Sequence, residues 1–462
     1  MLLVGPSYQL ATRKADCQRA INLMLKQTES GTGKPEKNFF LEGIPGLVLF
    51  SELTDEIRGS IVADGRCFVV AGATLYEIAS DGTETSLGSL ATTTGVVDMA
   101  YGNTQLVIVD GTHGYVLTLS TDVFTEIVST SFYGSDRVGF LDGYFIFNRP
   151  DTGQFYISAI DDATSLDALD FATAEGSPDD LISLVVDHRE LWLFGDVTTE
   201  IWYNSGNSDF PFTRNSGAFI EIGCAAVHSA QKIGNSVMWI GKDVNGQGQV
   251  YRAAGYSPQR VSNFAVEEAL AESTDLSAAK AFAYQQGGQT FYCIQAPGLE
   301  TTWVFELTSG QWHERADIVN GDLSQHRGNN HVFAFNKHLL GADDGNLYEL
   351  NNTTYVNHQD VLYRERTSVH QSAPSLERVA FNTFKADVTV GDTGSGVTPV
   401  VELCWSNDGG RTWSNWLART LGEIGEFSTR VEWHKLGTAR DRVWKIRCTD
   451  NARFSIIGAA VS

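Results

Sequence analysis

The run Ser406-Asn407-Asp408-Gly409-Gly410-Arg411-Thr412-Trp413 is the sharpest concentration of chemically capable side chains in this 462-residue sequence. It fits the Asp-box pattern S/T-x-D-x-G-x-T-W/F at every specified position. A carboxylate at Asp408 can accept backbone N–H groups from the turn that follows. Gly410 permits a positive φ, and Trp413 anchors the returning strand in a core. Such a box is a fold element remote from catalysis, so Ser406, Asp408, Gly410, Thr412 and Trp413 are read as a structural hairpin.

Other constellations reduce to structure one by one. Asp243-Val244-Asn245-Gly246-Gln247-Gly248 starts like a calcium loop but has no Glu at the twelfth position, so a hairpin turn is the reading. Gly31-Thr32-Gly33-Lys34 lacks the phosphate-loop frame, and Pro35 stands where a magnesium-binding Ser or Thr belongs. Asp161-Asp162 and Asp179-Asp180 are loop carboxylates without partners of known geometry. His188, His326 and His331 lie beside expected strands in structural roles. There is neither a G-x-S-x-G elbow nor an H-E-x-x-H pair. The six cysteines form no CxxC pair, which argues against a zinc site or a disulfide framework. No catalytic set, metal site or cofactor is expected.

The elements that would position any site show a repeat. Seven stretches pair two short apolar-aromatic runs across a Gly- or Asp-marked turn, beginning with Cys67-Phe68-Val69-Val70 and Leu75-Tyr76-Glu77-Ile78. First runs start at 67, 106, 145, 191, 237, 291 and 332, in steps of 39, 39, 46, 46, 54 and 41 residues. That spacing suits one four-stranded sheet per repeat, the period of propeller blades. The fold class is therefore all-β: a propeller of about seven blades over residues 58–358, preceded by an extended amino-terminal arm over 1–57. Residues 359–462 carry cleaner alternation, as in Val400-Val401-Glu402-Leu403-Cys404-Trp405, and read as a β-sandwich-like domain containing the Asp-box. Asn263 can cap a short helix with Glu267 and Glu268 in its early turns, between the fifth and sixth blades.

Composition sets outer limits. Hydrophobic residues make up 42% and charged residues 19%, an ordered chain rather than a disordered one. No apolar run approaches the roughly 20 residues of a membrane helix. The start, Met1-Leu2-Leu3-Val4-Gly5-Pro6, lacks the features of a secretion signal, so folding in a cytoplasm is expected. The formal net charge of −23 disfavours tight DNA binding, which needs a basic face to displace counterions. Two readings stay open: plain solubility, or the acidic wall of a channel through which DNA slides.

A family resemblance rests on residues spread along the chain. Ala15 to Asn22 followed by Gly43-Ile44-Pro45-Gly46, the segment Asn263-Phe264-Ala265-Val266-Glu267-Glu268-Ala269-Leu270, and Arg430-Val431-Glu432-Trp433 with Leu436-Gly437 and Arg440 occur in the order found in one family. The sequence resembles the tail hubs of short-tailed bacteriophages, also called packaged-DNA stabilisation proteins or tail accessory factors. Ser406-x-Asp408-Gly409 is similar too, whereas the completeness of the Asp-box beyond those positions carries no weight in the resemblance. The resemblance implies a virion protein made in the host bacterial cytoplasm and assembled into the tail as a homohexameric ring. The ring would sit beneath the portal adaptor, close the channel on packaged DNA and join the DNA exit path. Implied partners are the portal adaptor or head-completion protein, a needle or other distal tail protein, and tailspikes or fibres. Packaged DNA is met only through the channel, and no membrane is involved. Asp16, Arg19, Asn22, Trp433 and Arg440 are the assembly-contact candidates. The alternative is a carbohydrate-active, sialidase-like or glycan-binding propeller, since Asp-boxes recur in sialidases. That site would need arginines converging at the propeller centre, drawn from a set that includes Arg137, Arg149, Arg189, Arg214 and Arg252.

Overall fold

Seven four-stranded antiparallel blades close on themselves in the computed structural model, which describes residues 3–28, 39–174, 176, 179–243, 245–393 and 398–462. The first five blades are contiguous in sequence, spanning 57–89, 98–126, 138–173, 181–220 and 231–260. The sixth runs from Lys280–Gln286 to Gln311–Val319, and the seventh begins at Gly328–Ala334. Each innermost strand packs beside the next, and Gly328–Ala334 returns to Ile57–Ala63. The phosphate-loop-like residues 31–34 lie outside the described residues.

The blade pattern follows from burial. Middle strands such as Arg66–Ala71 and Gln105–Val109 are covered on both faces by neighbouring blades, so they are continuous apolar runs rather than alternating ones. Outermost strands such as Glu84–Ser89 face solvent and are polar. Phe264–Ala271 forms the expected helix between blades five and six, with Asn263 accepting the Val266 N–H at 3.1 Å. Glu267 is buried and takes Arg260 and Ser262 as partners, so it is tied by hydrogen bonds in addition to the helix dipole.

The amino-terminal region departs from the expected arm. Gly46–Glu52 pairs antiparallel with Asn346–Asn351 and supplies the outer strand of the seventh blade, closing the ring with the far end of the propeller chain. A Cβ on Gly46 would stand 2.4 Å from the Val356 carbonyl oxygen, so the close approach of these segments requires glycine. The expected boundary at residue 57 therefore falls after a propeller strand.

The other amino-terminal strands complete the carboxy-terminal domain. One sandwich sheet is ordered Cys17–Ile21, Arg364–Thr367, Asp441–Cys448, Val400–Ser406 and Leu417–Thr420. The other is ordered Leu23–Gln27, Phe39–Gly43, Ser455–Val461, Thr383–Val388 and Val431–His434. Between them lies a core of Leu23, Leu41, Phe384, Leu403, Trp433, Trp444 and Ile456. The sandwich is thus built from both ends of the chain, not from 359–462 alone. Strand Cys17–Ile21 also meets the last full strand of the sixth blade in parallel, at Ile21 and Glu314, so sandwich and propeller share one continuous sheet.

Candidate functional site

The Asp-box sits on the sandwich, in the turn that follows Val400–Ser406. Asp408 Oδ1 accepts the N–H groups of Arg411 at 3.0 Å and Thr412 at 2.9 Å, and the hydroxyls of Ser406 and Thr412 donate to the same carboxylate at 2.6 Å. The Ser406 hydroxyl, then the Thr412 hydroxyl and the backbone donors, hold the Asp408 carboxyl well below the usual carboxylate range. Gly410 takes φ +83°, and the Lys445 ammonium lies over the Trp413 ring at 4.3 Å. Four donors from its own turn hold Asp408 as a carboxylate, so it carries no proton to give as a general acid.

The amino-terminal candidates meet the sixth blade. Asp16 caps Gln18 through its N–H and its amide, each at 3.0 Å. Arg19 donates to Glu314 in a two-pronged pair, with Nε to Oε1 at 3.0 Å, and reaches Glu300 at 3.0 Å. Burial pushes the Glu314 carboxyl up, but the Arg19 charge and hydrogen bond more than reverse this and leave it lowered. Asn22 is fully buried in the left-handed conformation at φ +54°. Its Nδ2 donates to the carbonyls of Ala316 and Tyr363, each at 2.8 Å, and its Oδ1 accepts the Ala316 N–H at 3.0 Å. Trp433 is also fully buried, in the sandwich core, with Nε1 donating to the Leu417 carbonyl at 2.7 Å. Asn22 and Trp433 are thus interior to the single chain and have no face to offer a partner. Arg440 is exposed and Asp16 half-buried.

Three buried arginines of the sandwich were missed from sequence, because nothing in the local pattern marks them as interior. Arg366 donates to the carbonyls of Leu3 and Pro6 at 2.7 and 2.9 Å and to Gln18 at 2.6 Å. With no carboxylate touching it, burial pulls its guanidinium down to about 9. Arg364 similarly holds the carbonyls of Asp450 and Ala452, and Arg442 holds the Leu436 carbonyl at 2.6 Å and Asn407 at 2.9 Å.

One triad-like cluster also appears. His370 lies between Asp441, 2.8 Å from its Nδ1, and Cys17, whose Sγ is 3.5 Å from its Nε2. Cys17 is 2% exposed, and burial, aided by Asp16 and Asp441, pushes its thiol up to about 11. A neutral, buried thiol is a poor nucleophile. The same Nε2 is 2.8 Å from the Arg13 carbonyl, so the cluster clasps the amino-terminal segment to the sandwich.

The sialidase-type arrangement is not assembled. Arg137 lines the central cavity, but Arg149 stacks on Tyr133, Arg214 pairs with Glu200, and Arg189 reaches Asp142 from the exposed rim. Asp179 Oδ2 accepts the Val197 and Thr198 N–H groups, and Asp162 Oδ1 accepts that of Thr164, so both are turn-formers. Asp243 Oδ1 likewise accepts the N–H groups of Asn245 and Gln247 in a hairpin turn. All six cysteines are free and buried. Among the described residues, no group of three or more His, Cys, Asp or Glu could hold a metal ion. No helix among them is long and apolar enough to cross a membrane.

A closed seven-bladed propeller sharing a sheet with a β-sandwich places the chain among the all-β propeller proteins. The sequence profile described as the bacteriophage P22 Gp10 β-propeller matches residues 18–355, and that of the P22 Gp10 β-sandwich matches 372–462. The chain belongs to the phage stabilisation family of bacteriophage P22 Gp10, the tail accessory factors of short-tailed phages, and has a structural role in the tail and in DNA stabilisation. No curated protein matches the chain by sequence. Among solved structures, it is similar to the computationally designed Ika8 protein at 15% identity and TM-score 0.37, covering 75% of this chain and 100% of that one. It is also similar to the N-terminal domain of Nup159 at 9% identity and TM-score 0.41, covering 75% and 98%. An extracellular domain of a hybrid two-component system from B. thetaiotaomicron matches at 9% identity and TM-score 0.45, covering 74% and 44%. At these scores the likeness carries no weight, and the blade count rests on the strand pairings.

Proposed function

We propose that this chain is a head-to-tail connector: six copies form a ring beneath the portal adaptor, close the channel on the packaged genome, and later form part of the path by which DNA leaves. The observation that carries the reading is the coverage of both family profiles, which together take in the propeller, the sandwich and the amino-terminal strands that join them. A connector must transmit load between head and tail without yielding. A closed ring of blades sharing a sheet with a two-ended sandwich meets that requirement, because no sheet edge is left between the two parts.

In this reading the propeller is the body of the subunit and the sandwich carries the contacts. Arg440 and Asp16 are the sequence-derived candidates with side chains left to face another protein. Arg19, Asn22 and Trp433 act indirectly, by fixing the strands that present that surface, and the Asp-box stiffens the same face. The net charge of −23 supports a channel that binds DNA weakly and lets it pass. Distal partners are a needle, spike or fibre protein, and assembly takes place in the host cytoplasm.

Analytical ultracentrifugation of the protein with and without its phage's adaptor assembly tests the reading. Adaptor-dependent incorporation of six copies supports it, and a protein that stays monomeric at every ratio overturns it.

A further inference from the structure

The propeller centre holds a partly open cavity of about 160 Å³, bounded by residues from the innermost strands and the loops beside them. At about 10–15 Å³ per water position, this is room for a small polyatomic ion with several waters. In a chain of net charge −23, the lining gathers Arg58, Arg137 and Lys280 against Glu56 and Asp98, three cations to two carboxylates.

Arg58 is fully engaged with backbone carbonyls of its own blade and the adjoining loop, including Gly72 and Gly95. The others are not. The Arg137 guanidinium reaches the Ala230 carbonyl at 3.2 Å through one terminal nitrogen, while its buried Nε has no hydrogen-bond partner and stands 3.5 Å from Asp98. Asp98 is itself occupied, accepting the Val138 N–H at 2.9 Å. His228 presents a buried Nδ1 that also lacks a partner. Lys280 pairs with His228 across an isolated β-bridge, and its ammonium is 3.6 Å from Asp343, a carboxylate 69% exposed. Burial, then the charges of Arg137 and Lys280, pull the His228 imidazole down to about 3. A buried imidazole nitrogen without a partner, a guanidinium whose Nε has only a long ion-pair contact to Asp98, and an ammonium paired only with an exposed carboxylate thus come from three parts of the ring into one cavity. An uncompensated arrangement of this kind is costly, and an anion relieves all three terms together.

We propose that the central cavity is a binding site for a small tetrahedral oxyanion of the phosphate class. Arg137 and Lys280 supply the charge, and His228 turns its Nδ1–H toward an anion oxygen. Because the site draws on blade three, the loop entering blade five and blade six, an occupant would tie the ring together from inside. This inference is independent of the connector reading.

The test uses the full-length protein with inorganic phosphate, compared with chloride at matched ionic strength and with acetate as a planar carboxylate. Thermal midpoint, isothermal calorimetry and the His228 ring signals in NMR are followed together. Phosphate is expected to raise the midpoint and shift the His228 signals, with acetate weaker. Lys280→Gln and His228→Gln are each expected to weaken binding by about tenfold or more. Arg137→Gln also removes a bond to Ala230, so the other two variants carry the test if it folds poorly. No phosphate response beyond that of chloride would mean the cavity holds water only and would overturn the proposal. So would binding that persists unchanged in both variants, or acetate binding as well as phosphate.

Discussion

Replacing Asn22 tests how the two halves of the molecule are held. Its side chain makes three hydrogen bonds, two donated to the Ala316 and Tyr363 carbonyls and one accepted from the Ala316 N–H, those to Ala316 being buried. Asn22→Ala leaves those groups without that partner in a region where Ala316 is 2% exposed. Each such loss costs about 1–3 kcal/mol, with the orphaned N–H at the upper end. Asn22 also sits at φ +54°, where alanine adds about 1 kcal/mol of backbone strain. The expected destabilisation is about 4–10 kcal/mol, a large part of the about 5–15 kcal/mol typical of a folded protein. Asn22→Gly keeps the backbone conformation at little cost, so it is expected to lose about 1 kcal/mol less, with the difference reporting strain alone. Urea unfolding followed by tryptophan fluorescence reads both, since Trp433 and Trp444 lie in the sandwich core. Losses below about 1 kcal/mol for both variants would refute the view that Asn22 fixes the junction.

Other outcomes follow from the same structure. Removing residues 1–45 is expected to leave the propeller closed but strip strands from both sandwich sheets, read as protease sensitivity confined to the carboxy-terminal domain. Removing residues 1–53 also takes Gly46–Glu52 from the seventh blade, so the propeller itself is expected to melt earlier. Arg366→Met should expose the amide protons near residues 3–9 to hydrogen exchange, because the Leu3 and Pro6 carbonyls lose their donor; unchanged protection would show that Arg366 does not hold this segment. Burial holds His228 and His331 down at about 3 and His326 at about 4. The unfolded chain takes up these protons near pH ~6.5, so their stabilisation is complete above that pH and is lost as the pH falls toward about 3–4. The thermal midpoint should therefore drop between about pH 7 and 4, less steeply in His331→Gln; a flat profile would count against buried neutral imidazoles.

Blade strands were legible in the sequence where packing made them so. Middle strands are covered on both faces and stand out as apolar runs, which is why the first six repeats locate the second and third strands of each blade. The seventh does not: its two runs are the first and third strands, and Lys337–Ala342 between them was passed over. The turn there uses Phe335 and Asn336 at φ +54° and +59°, so neither a Gly nor an Asp marks it and the apolar Phe335 blurs the break between the two strands. Ring closure and the two-ended sandwich depend on pairings over some 300 or more residues, such as Leu347 with Ser51 and Arg19 with Thr367, and no local pattern records them. The Asp-box was readable because the hydrogen bonds that shape its turn are local. Asn22 and Trp433 stood out as motif positions, but motif alone cannot distinguish a contact surface from a core.

The connector role is tested most directly by electron cryomicroscopy of the protein mixed with its phage's portal–adaptor assembly. A sixfold ring added below the adaptor is expected, with the Arg440 face of the sandwich at a subunit or adaptor contact. An adaptor left bare, with this protein free and monomeric, would contradict it.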